Sequence, residues 1–209
     1  MAIALPIAEP RVESRTRTAR LHLVRHGETQ ANREMLFPGT NARLTGNGIA
    51  QARKVGTEFL TKEILVDTIL VSPTKRTFET LGYAFEVIEN SSLVFPVKPR
   101  VIVVQELLEK DPGGAVGKRI PETWGEIDRV SVKAGGESLP QFIERVENAA
   151  VKLIREIEAG KLGNEVALFG HSLVNRIILG VFQGIGGARG LSGKSQINGG
   201  IKTVEIELV

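Results

Sequence analysis

Short apolar runs along the chain alternate with longer stretches in which apolar residues recur every three or four positions. Leu21 to Val24 is one such short run, ending at Arg25-His26-Gly27. From Thr45 to Leu60 the residues Ile49, Ala50, Ala52, Val55 and Phe59 supply the apolar side of a helix, with Thr45 as its N-cap. Asp67 to Val71 reads as a second strand closed by Ser72-Pro73, and serine followed by proline predicts a helix from there to about Val87. Val101 to Val104 is a third strand. Ser138-Leu139-Pro140-Gln141 matches a capping box and opens an amphipathic helix carrying Phe142, Val146, Ala149, Ala150, Leu153 and Ile157. Val166 to Phe169 is a fourth strand, running into Gly170-His171-Ser172 and a helix through Ile177 and Val181. Ile201 to Leu208 alternates as a last strand. Strands alternating with helices predict an α/β fold whose mostly parallel sheet is covered on both faces.

Three stretches break this rhythm. Residues 1–19 read as a flexible N-terminal tail preceding one catalytic domain over 20–209. A transit peptide is the alternative for the tail, but Glu9 and Glu13 among its arginines argue against one. Residues 111–137 hold six glycines and Trp124, the composition of a lid, binding loop or mobile insertion. Gly184 to Gly199 reads as a plain surface connection.

Composition narrows the chemistry. A chain of 209 residues, 42% hydrophobic, buries a sizeable core as one domain. The net charge of +3 suits anionic ligands but is too small, and too scattered, to predict nucleic-acid binding. No cysteine is present, which excludes disulfides and thiolate catalysis. No apolar run approaches a membrane span. The expectation is a cytoplasmic protein with no membrane and no nucleic-acid partner. Amphipathic helix faces of this kind are also compatible with a homodimer.

Ligands of open parallel sheets bind at the carboxyl ends of the strands. Those ends carry Arg25 and His26, then Ser72 with Arg76 one helical turn on, then Glu106, then His171. Two guanidinium forks can chelate the oxygens of a phosphate dianion. A neutral imidazole can attack phosphorus. A carboxylic acid such as Glu106 can protonate the leaving alkoxide and later activate water. His171, if protonated, would add a third cation.

These motifs together resemble the histidine phosphatase superfamily, which includes the cofactor-dependent phosphoglycerate mutases. The resemblance rests on Leu23-Val24-Arg25-His26-Gly27-Glu28-Thr29, Asn32, Leu44-Thr45 with Gln51-Ala52, Ser72-Pro73 with Arg76 and Thr80, Gly136-Glu137-Ser138 with Arg145, and Gly170-His171. It covers roughly Leu21 to Val204 and implies a three-layer α/β/α sandwich. It also implies His26 as nucleophile, with Arg25, Arg76 and His171 binding the phosphoryl group of a small-molecule phosphate ester. Asn32 and the backbone near Gly39 would line the ester side. Glu106 fits the acid position and Glu109 is its rival. Ser172, where many members have glycine, would cap the next helix or touch phosphate. The acidic-aromatic signature that follows the acid in the family is missing. The implied activity is a phosphatase with no metal and no cofactor. A phosphoglycerate mutase-type transfer is the alternative, and a non-catalytic phospho-ligand binder is a third reading.

Two other enzyme classes fail on the residues. Phe169-Gly170-His171-Ser172-Leu173-Val174 resembles the serine elbow of α/β-hydrolases, but Val174 stands where glycine is needed and no histidine follows. A metal hydrolase also fails: of the three histidines only His22 and His26 are close in sequence, and on a strand that spacing separates side chains by about 13 Å. His22 precedes the motif in mid-strand and reads as a packed or hydrogen-bonded structural residue.

Overall fold

The computed structural model describes residues 17–91, 98–192 and 194–208. Five strands form one sheet: β1 (Arg17–Arg25), β2 (Thr68–Val71), β3 (Arg100–Val103), β4 (Glu165–Gly170) and β5 (Ile201–Leu208). Their order is β3-β2-β4-β1-β5. The first four are mutually parallel and β5 pairs antiparallel with β1, Arg17 opposite Leu208 and Val24 opposite Ile201. β4 lies at the centre, which is why its run Val166-Ala167-Leu168-Phe169 is apolar at every position.

That run feeds two separate cores. Leu21, Leu23, Val166 and Leu168 point to one face, where α5 (Leu139–Glu158) and α6 (Ser172–Phe182) supply Phe142, Val146, Leu153, Ile177 and Ile178. Val24, Ile69, Val71, Ala167 and Phe169 point to the other, against α2 (Gly46–Thr61) and α3 (Lys75–Glu89) with Val55, Phe59, Ala84 and Ile88. The result is a three-layer α/β/α sandwich. Each fully buried side chain of this size contributes about 1.5–3 kcal/mol. Among the described residues no helix is long and apolar enough to cross a membrane.

The expected caps hold at Thr45, which accepts from the Gly48 N–H at 3.0 Å, and at Ser138, whose reciprocal bonds with Gln141 complete a capping box. Other boundaries differ. β1 starts at Arg17, so residues 17–19 of the expected tail belong to the sheet; Ala19 is fully buried there, and the rest of the tail lies outside the described residues. α3 begins at Lys75 with Thr74 as N-cap, leaving Ser72 free to turn inward. The Gly-rich segment holds a helix, α4 (Trp124–Lys133), capped by Thr123, whose Oγ1 accepts from the Glu126 N–H at 3.4 Å. Two short helices were also not anticipated: α1 (Gln30–Glu34) and α7 (Gly187–Gly190).

Candidate active site

The loop after β1 is anchored from four sides. The His26 N–H donates to the Gly170 carbonyl at 3.0 Å, and the Gly199 N–H and Asn198 side chain donate to the His26 carbonyl at 3.2 and 3.1 Å. The Gly27 N–H donates to Thr80 Oγ1 at 2.9 Å, and Thr80 donates onward to the Arg76 carbonyl at 2.6 Å. A Cβ on Gly27 would fall 2.4 Å from the Gly48 carbonyl oxygen, and one on Gly48 would fall 2.1 Å from that of Glu28. Only paired glycines let the start of α2 press against this loop.

His26 is buried, and its Nδ1 lies 2.7 Å from the Gly27 carbonyl. A carbonyl only accepts, so Nδ1 carries the proton and Nε2 keeps the lone pair. His171 stands beside it at the N-cap of α6, fully buried, with ring centroids 5.3 Å apart in a T-shaped arrangement. Arg76 Nη2 approaches His171 Nδ1 at 3.3 Å and Ser72 Oγ lies 2.8 Å from its Nε2. Guanidinium only donates, so His171 is protonated on Nε2 and donates to Ser72. Burial first, and then the positive charge of Arg76, hold both histidines well below 6.5. In the ligand-free protein His171 is therefore neutral and not a third cation.

Two arginines complete this end. Arg76 is almost fully buried and donates from Nη1 to the Gly39 carbonyl at 2.9 Å. Arg25 donates to the Gln196 carbonyl. The Nε atoms of both are buried and without a hydrogen-bond partner. Burial pulls Arg76 down to about 10 despite the attraction of Glu109. Leaving such donors unpaired is costly, and a bound oxyanion would relieve that cost.

His26, Arg25 and Arg76 line a cavity of about 740 Å³ together with Asn32, Gly39 and Ser172, while His171 and Ser72 lie behind its lining. Asn32 accepts from Asn198 at 3.4 Å, and Ser172 hydrogen-bonds Ser195 at 2.9 Å. Glu106 is not there. After β3 the chain makes a 3-10 turn over Gln105–Leu107, which buries Leu107 and turns Glu106 to solvent. Glu106 instead contributes its carbonyl, which accepts from Arg145 at 2.7 Å. The chain leaves the turn extended at Leu108 and delivers Glu109 into the cavity. The Glu109 carboxyl accepts from the Lys110 N–H at 3.1 Å and from the Leu173 N–H in the first turn of α6. Burial raises it above the ordinary carboxyl range in spite of these bonds and of Arg76 and Arg25.

The structure also recruits residues that periodicity left aside. Ser195, Gln196 and Asn198, in the supposed surface connection, hold Ser172, Arg25 and His26. Arg145 forks onto Glu137 at 2.9 and 2.8 Å and donates to the Leu108 carbonyl at 3.1 Å, tying α5 to the segment carrying Glu109. His22 is buried between Thr203 and Glu165 at 2.9 and 2.8 Å, away from the cavity.

The profile of the histidine phosphatase superfamily (branch 1) matches residues 21–207. The chain belongs to the histidine phosphatase superfamily. Members of this superfamily are catalytic, and its relatives here include both mutases and phosphatases. A 2,3-bisphosphoglycerate-dependent phosphoglycerate mutase from Parvibaculum lavamentivorans is 30% identical over 138 residues, 60% of this chain and 62% of its own length. A second such mutase, from Treponema denticola, is 33% identical over 54% of this chain and 44% of its own. The match thus spans less than two thirds of either curated relative. Among solved structures, the α-ribazole phosphatase from Shigella flexneri superposes with a TM-score of 0.69 at 23% identity, over 88% of this chain and 89% of that one. Phosphoglycerate mutase from Bacillus anthracis gives 0.72 at 18% identity, over 91% and 89%. Superfamily fold is shared with both, at identities that carry the architecture alone.

Proposed function

We propose that this protein is a phosphatase that hydrolyses phosphate monoesters through a phosphohistidine on His26, without a metal. The observation that carries the reading is the composition of one cavity: a histidine nitrogen with a free lone pair, two guanidinium groups with unpaired buried N–H donors, and a carboxyl biased toward its neutral form. Arg25 and Arg76 take the nonbridging oxygens and neutralise their charge. His26 Nε2 attacks phosphorus as the ester P–O bond breaks, and the Gly27 carbonyl stabilises the ring through Nδ1–H. Glu109 gives its proton to the departing alkoxide. Water then attacks phosphorus, Glu109 takes a proton from it, the P–N bond breaks and inorganic phosphate leaves. His171 is neutral until the dianion arrives, whose charge favours its protonation.

Glu109 replaces Glu106 as the acid in this scheme because it lines the cavity and Glu106 does not. The mutase reading is favoured by the two curated mutase relatives, 30% and 33% identical over part of the chain. The deciding assay is hydrolysis of an aryl phosphate in the presence of a chelator. The wild type is expected to turn over and His26→Ala to fall to background, with acid-labile radiolabel on the wild type only. Undiminished turnover by the variant would sink the scheme. Conversion of 3-phosphoglycerate to 2-phosphoglycerate that outpaces hydrolysis would favour the mutase.

A further inference from the structure

The strand-end half of the cavity accounts for the phosphoryl group. The other half is walled by Phe37, Pro38, Val116, Ile120, Trp124 and Ile127. Val116 and Trp124 are 50% and 39% exposed, so large apolar groups stand in water at the place where the alcohol part of an ester would lie. This wall is held in place. The Phe37 N–H donates to the Lys118 carbonyl at 3.0 Å, the Gly117 N–H to the Phe37 carbonyl at 2.9 Å, and the Ile120 N–H to the Met35 carbonyl at 2.8 Å. The two loops therefore form a small antiparallel pair that keeps the cavity open.

Charge points the same way. Among the described residues, four cations line the cavity: Arg25, Arg76, Lys110 and Arg145. The first two belong to the phosphoryl group. Lys110 is buried and committed to the Glu137 carbonyl and, at 3.5 Å, to the Asp128 carboxylate. Arg145 is committed to Glu137. Lys118 and Arg119 are exposed and lie off the cavity lining, and Arg129 pairs with Glu126 at 3.7 Å. A second anionic group on the substrate would find every cation already engaged and would face Asp111 and Glu137, which also line the cavity. An uncharged apolar group would cover the exposed wall and displace water from it.

We infer that this site, on the phosphatase reading above, prefers monophosphate esters whose alcohol part is apolar and uncharged, an alkyl or aryl group, over esters carrying a second anion. Trp124 is the single tryptophan of the chain, so its fluorescence reports occupancy of this wall. The test titrates hexylphosphonate and ethylphosphonate, neither of which can be hydrolysed. Each methylene leaving water is worth about fourfold in affinity, so hexylphosphonate is expected to bind roughly tenfold tighter or more. Val116→Ser, an uncharged polar change at an exposed position, should shrink that ratio by weakening hexylphosphonate binding more than ethylphosphonate binding. Equal affinities, an unaltered ratio in the variant, or 3-phosphoglycerate binding as tightly as hexylphosphonate would each overturn the inference. Discrimination between the phosphonates without any His26-dependent hydrolysis of hexyl phosphate would overturn the phosphatase reading and leave the ligand preference standing.

Discussion

The two ends of the cavity are built by different means. At the phosphoryl end Arg25, His26 and His171 sit at or next to the ends of parallel strands, Arg76 lies in the first turn of the helix after β2, and the His26 N–H is tied to the end of β4. At the ester end the walls come from the loop over 35–40 and the segment over 108–127, joined by a few loop-to-loop hydrogen bonds. Charge and burial define the first end, and apolar exposure defines the second. A scaffold of this kind can hold one reaction constant while the loops alter what enters.

Three measurements would break or sharpen this contrast. The largest effect belongs to Glu109, which sits where the ends meet. Glu109→Gln should cost about 10²–10⁴ in kcat with poor leaving groups and much less with an activated aryl phosphate, the pattern of a lost general acid. Glu106→Gln should leave turnover unchanged. The reverse result would return the acid role to Glu106.

Next is the scaffold of the phosphoryl end. Gly48→Ala forces a methyl against the Glu28 carbonyl and is expected to cost about 1–3 kcal/mol, read from the midpoint of denaturant unfolding. A neutral outcome would show that α2 and the catalytic loop are less rigidly joined than their contact implies.

The smallest effect concerns pH. His26 and His171 are held below their unfolded value near 6.5. The unfolded chain therefore binds more protons in the window below 6.5. Their contribution to stability is fully present above pH 6.5 and is lost as pH falls through the folded values. Ligand-free protein should lose thermal stability across that window, and His171→Asn should flatten the slope. Histidine resonances followed by NMR should titrate below 6.5 in the free protein, and that of His171 should move upward when vanadate is added. A free-state titration of His171 at or above 6.5 would contradict the neutral tautomer bound to Ser72.

The same contrast explains what could be read from the residues. The bounds of β5 are legible to the residue, and those of α5 and α2 within one, because an alternating edge strand and amphipathic helices impose strict periodicity, and Thr45 and Ser138 cap by local chemistry. Arg25, His26, Arg76 and His171 could be anticipated because strand ends converge by topology. Glu109 could not be separated from Glu106 by sequence distance, since a three-residue 3-10 turn decided which carboxyl faced inward. Nor did periodicity reveal Ser195, Gln196 and Asn198, which act through loop geometry. α4 left a usable trace: Thr123-Trp124-Gly125-Glu126 fits the helix-start pattern of Thr followed three residues on by Glu. Its glycine content masked the pattern.

The antiparallel pairing of β1 with β5 carries a consequence for biosynthesis. His26, the proposed nucleophile, lies early in the chain, yet the groups that satisfy its carbonyl and hold Arg25 lie between residues 196 and 199. A ribosome-bound chain can gather its helices and central strands early, but it cannot finish the reactive loop until that late segment has emerged. The bonds around His26 and Arg25 therefore form only after that segment has emerged, and a chain cut short before it would fold without them.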